Sequence, residues 1–100
     1  MPQLFTTHGP LDASAVGFIL PHEHIFVDLR PLDTTGFALA DPDDVVRLMA
    51  PELARARNSG ITALVECTPE GVGRRADLVL EVARAADLPV MIATGIYREP

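Results

Sequence analysis

Apolar residues recur with two different periods along this chain, and the switches between them set the expected order of elements. The stretch 18–27 is apolar except around Pro21-His22-Glu23-His24, and it reads as a strand. Helical spacing follows, with Val45, Leu48, Met49, Leu53 and Ala56 on one stripe. Asp41 suits the N-cap, Pro42 the first helical position, and Asp44 the far side of an Asp-x-x-Asp capping box. Pro51 predicts a kink or a restart, and Asn58-Ser59-Gly60 a stop with Gly60 in the left-handed position. A second strand over 61–67 is β-branched and mostly apolar, as expected where both faces of a sheet are covered. A second helix over 74–86 buries Leu78, Val79, Val82, Ala83 and Ala86, and Pro89 admits a third strand over 90–94.

Upstream, residues 4–8 form a short strand candidate and Gly9-Pro10 marks a turn, so 1–17 reads as an N-terminal flap or hairpin. Residues 28–40 make a long loop with turn chemistry at Pro31, Asp33 and Gly36. The remaining β-α-β-α-β order over 18–100 implies parallel strands joined by right-handed crossovers. This is an α/β chain, expected to form the first three βα units of a (β/α)8 TIM barrel. A complete barrel takes about 250 residues, so 100 residues read as an incomplete, N-terminal part.

Composition narrows the function classes. The net charge of −6 comes from 8 basic and 14 acidic side chains, and every basic one is arginine. An acidic chain of this kind is a poor nucleic-acid binder. Cys67 stands alone, which fits a reducing compartment and a small core residue rather than a nucleophile. No secretory leader and no membrane-spanning run is evident, so a cytoplasmic protein without membrane partners is expected.

The candidate chemistry starts at His22 and His24. Strand side chains alternate, so both imidazoles face one way and Glu23 the other. Two neutral imidazoles at a strand end can hold zinc, cobalt, nickel or iron; the alternative is a hydrogen-bonded pair at the rim of a core. Glu23 would face the helices and need an arginine or a helix N-terminus as partner. Asp28 either orients a histidine or accepts backbone donors in its loop. Glu66 interrupts an apolar strand near its functional end, where it either supports a ligating histidine from behind or pairs with Arg74 or Arg75. Gly71-Val72-Gly73-Arg74 is no dinucleotide fingerprint, because residue 76 is alanine; its glycines let the loop turn tightly. His8 reads as a surface or structural residue. Tyr97, past the third strand, reads as a wall of a substrate pocket at the mouth.

The ordered set Gly9-Pro10, Gly17-Phe18-Ile19-Leu20-Pro21-His22-Glu23-His24, Gly71-Val72-Gly73-Arg74 and Ala93-Thr94-Gly95-Ile96-Tyr97 resembles the phosphotriesterase family of the amidohydrolase superfamily, from about residue 6 onward. The resemblance implies a TIM barrel with two divalent metal ions, zinc first, with cobalt, manganese or iron as alternatives. It implies that His22 and His24 hold the more buried ion. The family's bridging carboxylated lysine, two later histidines and final aspartate have no counterpart in a chain that ends before them and contains no lysine. Relatives often carry an acidic residue where Arg75 stands. Tyrosine at 97, where organophosphate-hydrolysing members tend to have tryptophan, is similar to the lactonase-like, phosphotriesterase-related branch. The expected activity of the full-length protein is metal-dependent hydrolysis of a small-molecule ester or lactone, with promiscuous phosphotriesterase activity and a homodimeric assembly. The alternatives are a dedicated phosphotriesterase, or an inert truncated barrel that binds metal weakly at most.

Overall fold

A computed structural model describes residues 2–96. The chain opens with an antiparallel hairpin, β1 (Gln3–Thr6) and β2 (Gly9–Asp12), followed by a single 3-10 turn over Ala13–Ala15. Three parallel strands then alternate with two helices: β3 (Phe18–Glu23), α1 (Pro42–Asn58), β4 (Ile61–Glu66), α2 (Ala76–Ala86) and β5 (Val90–Ile92). The sheet order is β3-β4-β5, so each crossover joins neighbouring strands. This is the β-α-β-α-β series expected from the alternating periods.

The core lies between this sheet and the two helices. Leu78, Val79, Val82, Ala83 and Ala86 are all buried on α2, against Leu64, Leu88 and Val90. On α1, Val45 and Leu53 are buried, but Leu48 is 60% exposed and leaves the expected stripe. The helix instead packs through Val45, Val46, Met49, Ala50 and Leu53. Helix α1 runs unbroken through Pro51, so no restart occurs. Asp41 caps it, accepting from the Asp43 N–H at 3.0 Å. Asp44 does not close the expected box; it pairs with Arg47 at 3.4 Å.

The hairpin closes the N-terminal end of the sheet. The Thr7 N–H donates to the Val90 carbonyl at 2.9 Å, and the Val90 N–H donates to Thr7 Oγ1 at 3.1 Å. His8 has the structural role expected of it, with Nε2 3.3 Å from Asp87 at the end of α2. The opposite end of the sheet is left open for loops and chemistry.

Strand β3 stops at Glu23, earlier than the alternating pattern predicts. Its ladder ends because the next free amides are taken by a side chain: Glu66 Oε2 accepts the N–H groups of Ile25 at 3.0 Å and Phe26 at 3.4 Å. The register along β3 also slips. Leu20 pairs with Leu64 and Glu23 with Glu66, so β3 spends one residue more than β4 between these pairs. The extra residue is a bulge at Pro21-His22. It reverses the alternation, putting Leu20 and Glu23 on the same, helix-facing side.

Candidate metal centre

The bulge falls at the histidines. In an unbroken ladder His22 and His24 would share a face with Leu20, which packs into the helical core. With one extra residue inserted, both flank Glu23 at the open end of the sheet and both are exposed, His24 also bordering the cavity that Leu20 and Glu23 line against α1. Their rings meet edge to face, with centroids 5.4 Å apart. His24 Nδ1 lies 2.8 Å from Thr68 Oγ1, a hydrogen bond between the ends of neighbouring strands. With Nδ1 engaged, Nε2 is the nitrogen left for a ligand. Among the described residues the ring of His22 meets only His24.

This donor set fits a divalent transition metal. It offers two nitrogen donors of the right softness, side by side and open to solvent, one of them already oriented. It is a partial set: no group of three or more metal-binding side chains is found among the described residues, and a zinc ion takes about four ligands.

Glu66, paired with Glu23 at the end of β4, is 2% exposed. It pairs with neither Arg74 nor Arg75. Its Oε2 takes the amides of Ile25 and Phe26, and its Oε1 accepts the Thr68 N–H at 2.6 Å. A buried carboxylate saturated by backbone N–H donors needs no cation. Arg75 is used elsewhere, donating to Asp77 at 2.9 and 2.8 Å and to the Ala38 carbonyl at 2.6 Å. That supplies an ion pair at the start of α2 even though residue 75 is itself basic. Glu23 is half-buried beside a cavity of about 170 Å³ that Leu20, His24, Met49, Glu52 and Leu53 also line. The arginine or helix N-terminus expected to pair with Glu23 is absent among the described residues.

Asp28 takes the second of its two expected roles. Its carboxylate accepts the N–H groups of Arg30 at 3.1 Å and Ala38 at 2.8 Å, and the Arg30 guanidinium at 2.9 and 2.6 Å. The Arg30 side chain, then the Ala38 amide, hold it well below the usual carboxylate range. Ala38 adopts φ +59°, and its two hydrogen bonds fix that left-handed turn. The long loop after β3 is thereby folded back on itself and tied to the start of α2.

The loop after β4 joins both neighbours. The Asp28 N–H donates to the Val72 carbonyl at 2.8 Å, and the Glu70 N–H donates to the Gly95 carbonyl at 3.1 Å. Arg74 Nη1 donates to the carbonyls of Ala93 at 3.1 Å and Gly95 at 3.0 Å. The Gly-x-Gly-Arg stretch is therefore a fastener of the mouth rather than a phosphate cradle. Tyr97 lies outside the described residues, one position beyond Ile96, which bridges to Glu70.

Thr68 is the residue that pattern reading misses. It is polar and 1% exposed, two positions past Glu66 at the end of a strand. That placement, level with the histidines on the neighbouring strand, was its only signal.

The relatives share this frame. A curated phosphotriesterase homology protein from Mycobacterium tuberculosis is 33% identical over 98 residues, 97% of this chain and 30% of its own length. The solved structure of the phosphotriesterase from Mycobacterium tuberculosis superposes with a TM-score of 0.82 at 31% identity, over 97% of this chain and 30% of that one. A variant of a phosphotriesterase-like lactonase from Deinococcus radiodurans superposes with a TM-score of 0.80 at 30% identity, over 92% and 29%. The chain thus spans about 30% of the length of the curated relative, and its βα units are the opening part of their TIM barrel. The profile of the Phosphotriesterase family matches residues 2–100, so with the strand-end histidines and the stitched loops goes a plain assignment: this chain belongs to the phosphotriesterase family, a family of hydrolases.

Proposed function

We propose that the intact protein is a metal-dependent hydrolase of lactones or other esters, with weak activity on phosphotriesters. The observation that carries this reading is the pair of exposed imidazoles, ring centroids 5.4 Å apart, at the open end of the sheet. A phosphotriesterase-like lactonase among the similar structures supports the choice of lactones. In this reading His22 and His24 would hold one of two divalent ions, zinc first, and such ions would polarise the carbonyl or phosphoryl oxygen of the substrate and activate water. Glu66 holds the backbone that follows His24 and that of Thr68, and the Val72 and Arg74 hydrogen bonds hold the rim to which substrate comes. Tyr97 packs against the acyl part and offers its hydroxyl to an ester or lactone oxygen.

A dedicated phosphotriesterase is the second reading, favoured by the name of the Mycobacterium tuberculosis structure. Steady-state kinetics on a lactone series and on an aryl dialkyl phosphate, with metal measured on the same samples, separate the two. The proposal expects kcat/KM for the best lactone to exceed that for the phosphotriester by at least about tenfold, a difference of about 1.4 kcal/mol in transition-state binding. The reverse order would establish the second reading.

A further inference from the structure

We propose that Thr68 is a positioning residue for His24, held in place by the Glu66 carboxylate; this rests on the reading of His22 and His24 as metal ligands. Thr68 is 1% exposed, so its hydroxyl is out of reach of bulk water and must find a partner inside. Among the described residues that partner is His24 Nδ1, at 2.8 Å. The Thr68 backbone is fixed in turn, its N–H donating to Glu66 Oε1 at 2.6 Å. The other oxygen of the same carboxylate takes the amides of Ile25 and Phe26, the two residues after His24.

One buried carboxylate therefore holds the histidine from two sides. Through Oε2 it sets the main chain that carries the ring, and through Oε1 it sets the threonine that the ring touches. The Nδ1–H of His24 donates to Thr68 Oγ1, which leaves the lone pair on Nε2 for the ion. The two histidines are then unequal. His24 is oriented and has its tautomer chosen before any metal arrives, whereas His22, for which the described residues supply a ring contact with His24 and no hydrogen bond, has neither constraint.

The test uses the intact protein with Thr68→Val, which keeps shape and removes the hydroxyl, and Thr68→Ser, which restores it. Nitrogen-15 spectra of the imidazoles in the metal-free protein should show His24 with its proton on Nδ1, and His22 with no such preference. Thr68→Val should mix the His24 tautomers and raise the zinc dissociation constant, measured by chelator competition, about 10–100-fold. Thr68→Ser should return both readouts close to wild type. A wild-type His24 with its proton on Nε2 would overturn the proposal whether or not the valine variant folds. So would a folded Thr68→Val variant with unchanged tautomer and zinc affinity, provided His24→Ala loses zinc. Unchanged zinc binding in His24→Ala would instead remove the ligand reading beneath it.

Discussion

A methyl group on residue 73 would lie 2.7 Å from the backbone nitrogen of Asp28 and 2.9 Å from its Cβ. Gly73 also holds φ +94°. Two loops thus meet at a contact that admits only glycine, and the Asp28 N–H donates to the Val72 carbonyl at the same spot. Gly73→Ala should cost about 1–2 kcal/mol for the left-handed backbone alone, and more for the forced separation. Urea unfolding of the intact protein would measure it; a loss below about 0.5 kcal/mol would mean the loops part freely.

The histidine pair makes the most direct prediction. His22→Ala combined with His24→Ala should remove most of the bound metal and nearly all hydrolysis while leaving the circular dichroism spectrum intact. Elemental analysis showing full metal in that double variant would end the assignment of these two residues.

Acid should loosen the long loop after β3 through Asp28. Its carboxyl is held below the ordinary value of 3.8 by Arg30 first and by the Ala38 amide second. A depressed native pKa means that the contribution is complete above the unfolded value and fades as pH falls through the native one. Asp28→Asn should therefore lower Tm at pH 7, and the gap from wild type should narrow once the pH drops below about 4. Thermal melts of both proteins from pH 7 down to pH 2.5 would show it; a gap independent of pH would assign the loss to hydrogen-bond geometry instead of charge.

Tyr97 can be tested by splitting ring from hydroxyl. Tyr97→Phe should lower kcat and kcat/KM together by roughly tenfold if the hydroxyl assists the developing charge. Tyr97→Ala should also raise KM through lost packing, and metal content should stay normal in both. Lactone kinetics at wild-type level in both variants would take Tyr97 out of the site.

Residues 1–100 in isolation should associate. Phe18 is 78% exposed and Phe5 76% exposed, and the three-stranded sheet offers a free edge along β3. Size-exclusion chromatography against concentration is the measurement. A concentration-independent monomer with a sharp melt would show that the hairpin and loops protect these edges sufficiently.

Much of this fold was legible because it depends on periods. The α2 stripe is legible residue by residue, since a helix that buries one face must repeat its apolar side chains. The shared face of His22 and His24 followed from alternation in the same way. Glu23 also lies on the expected side, beside the helices, where it lines a cavity with Leu20 and Met49. What alternation misses is the residue added between Leu20 and Glu23, which only the pairing of Glu23 with Glu66 reveals. A bulge belongs to two strands at once, so neither strand's sequence announces it. The same limit hid the partner of Glu66. Arginines were the candidates because side chains are what a sequence displays, whereas the partners are main-chain N–H groups that every residue but proline owns.

The fastening of the mouth carries a consequence for how such a protein can change. Asp28 to Val72, Glu70 to Gly95, and Arg74 to Ala93 and Gly95 are bonds that end on carbonyl oxygens. The acceptors carry no information about side-chain identity. Residues 93, 95 and 72 can be exchanged for others of compatible shape while the bonds persist. Side chains along the rim can therefore change without reopening the question of how the rim is built, and one arginine secures that freedom between the loops after β4 and β5.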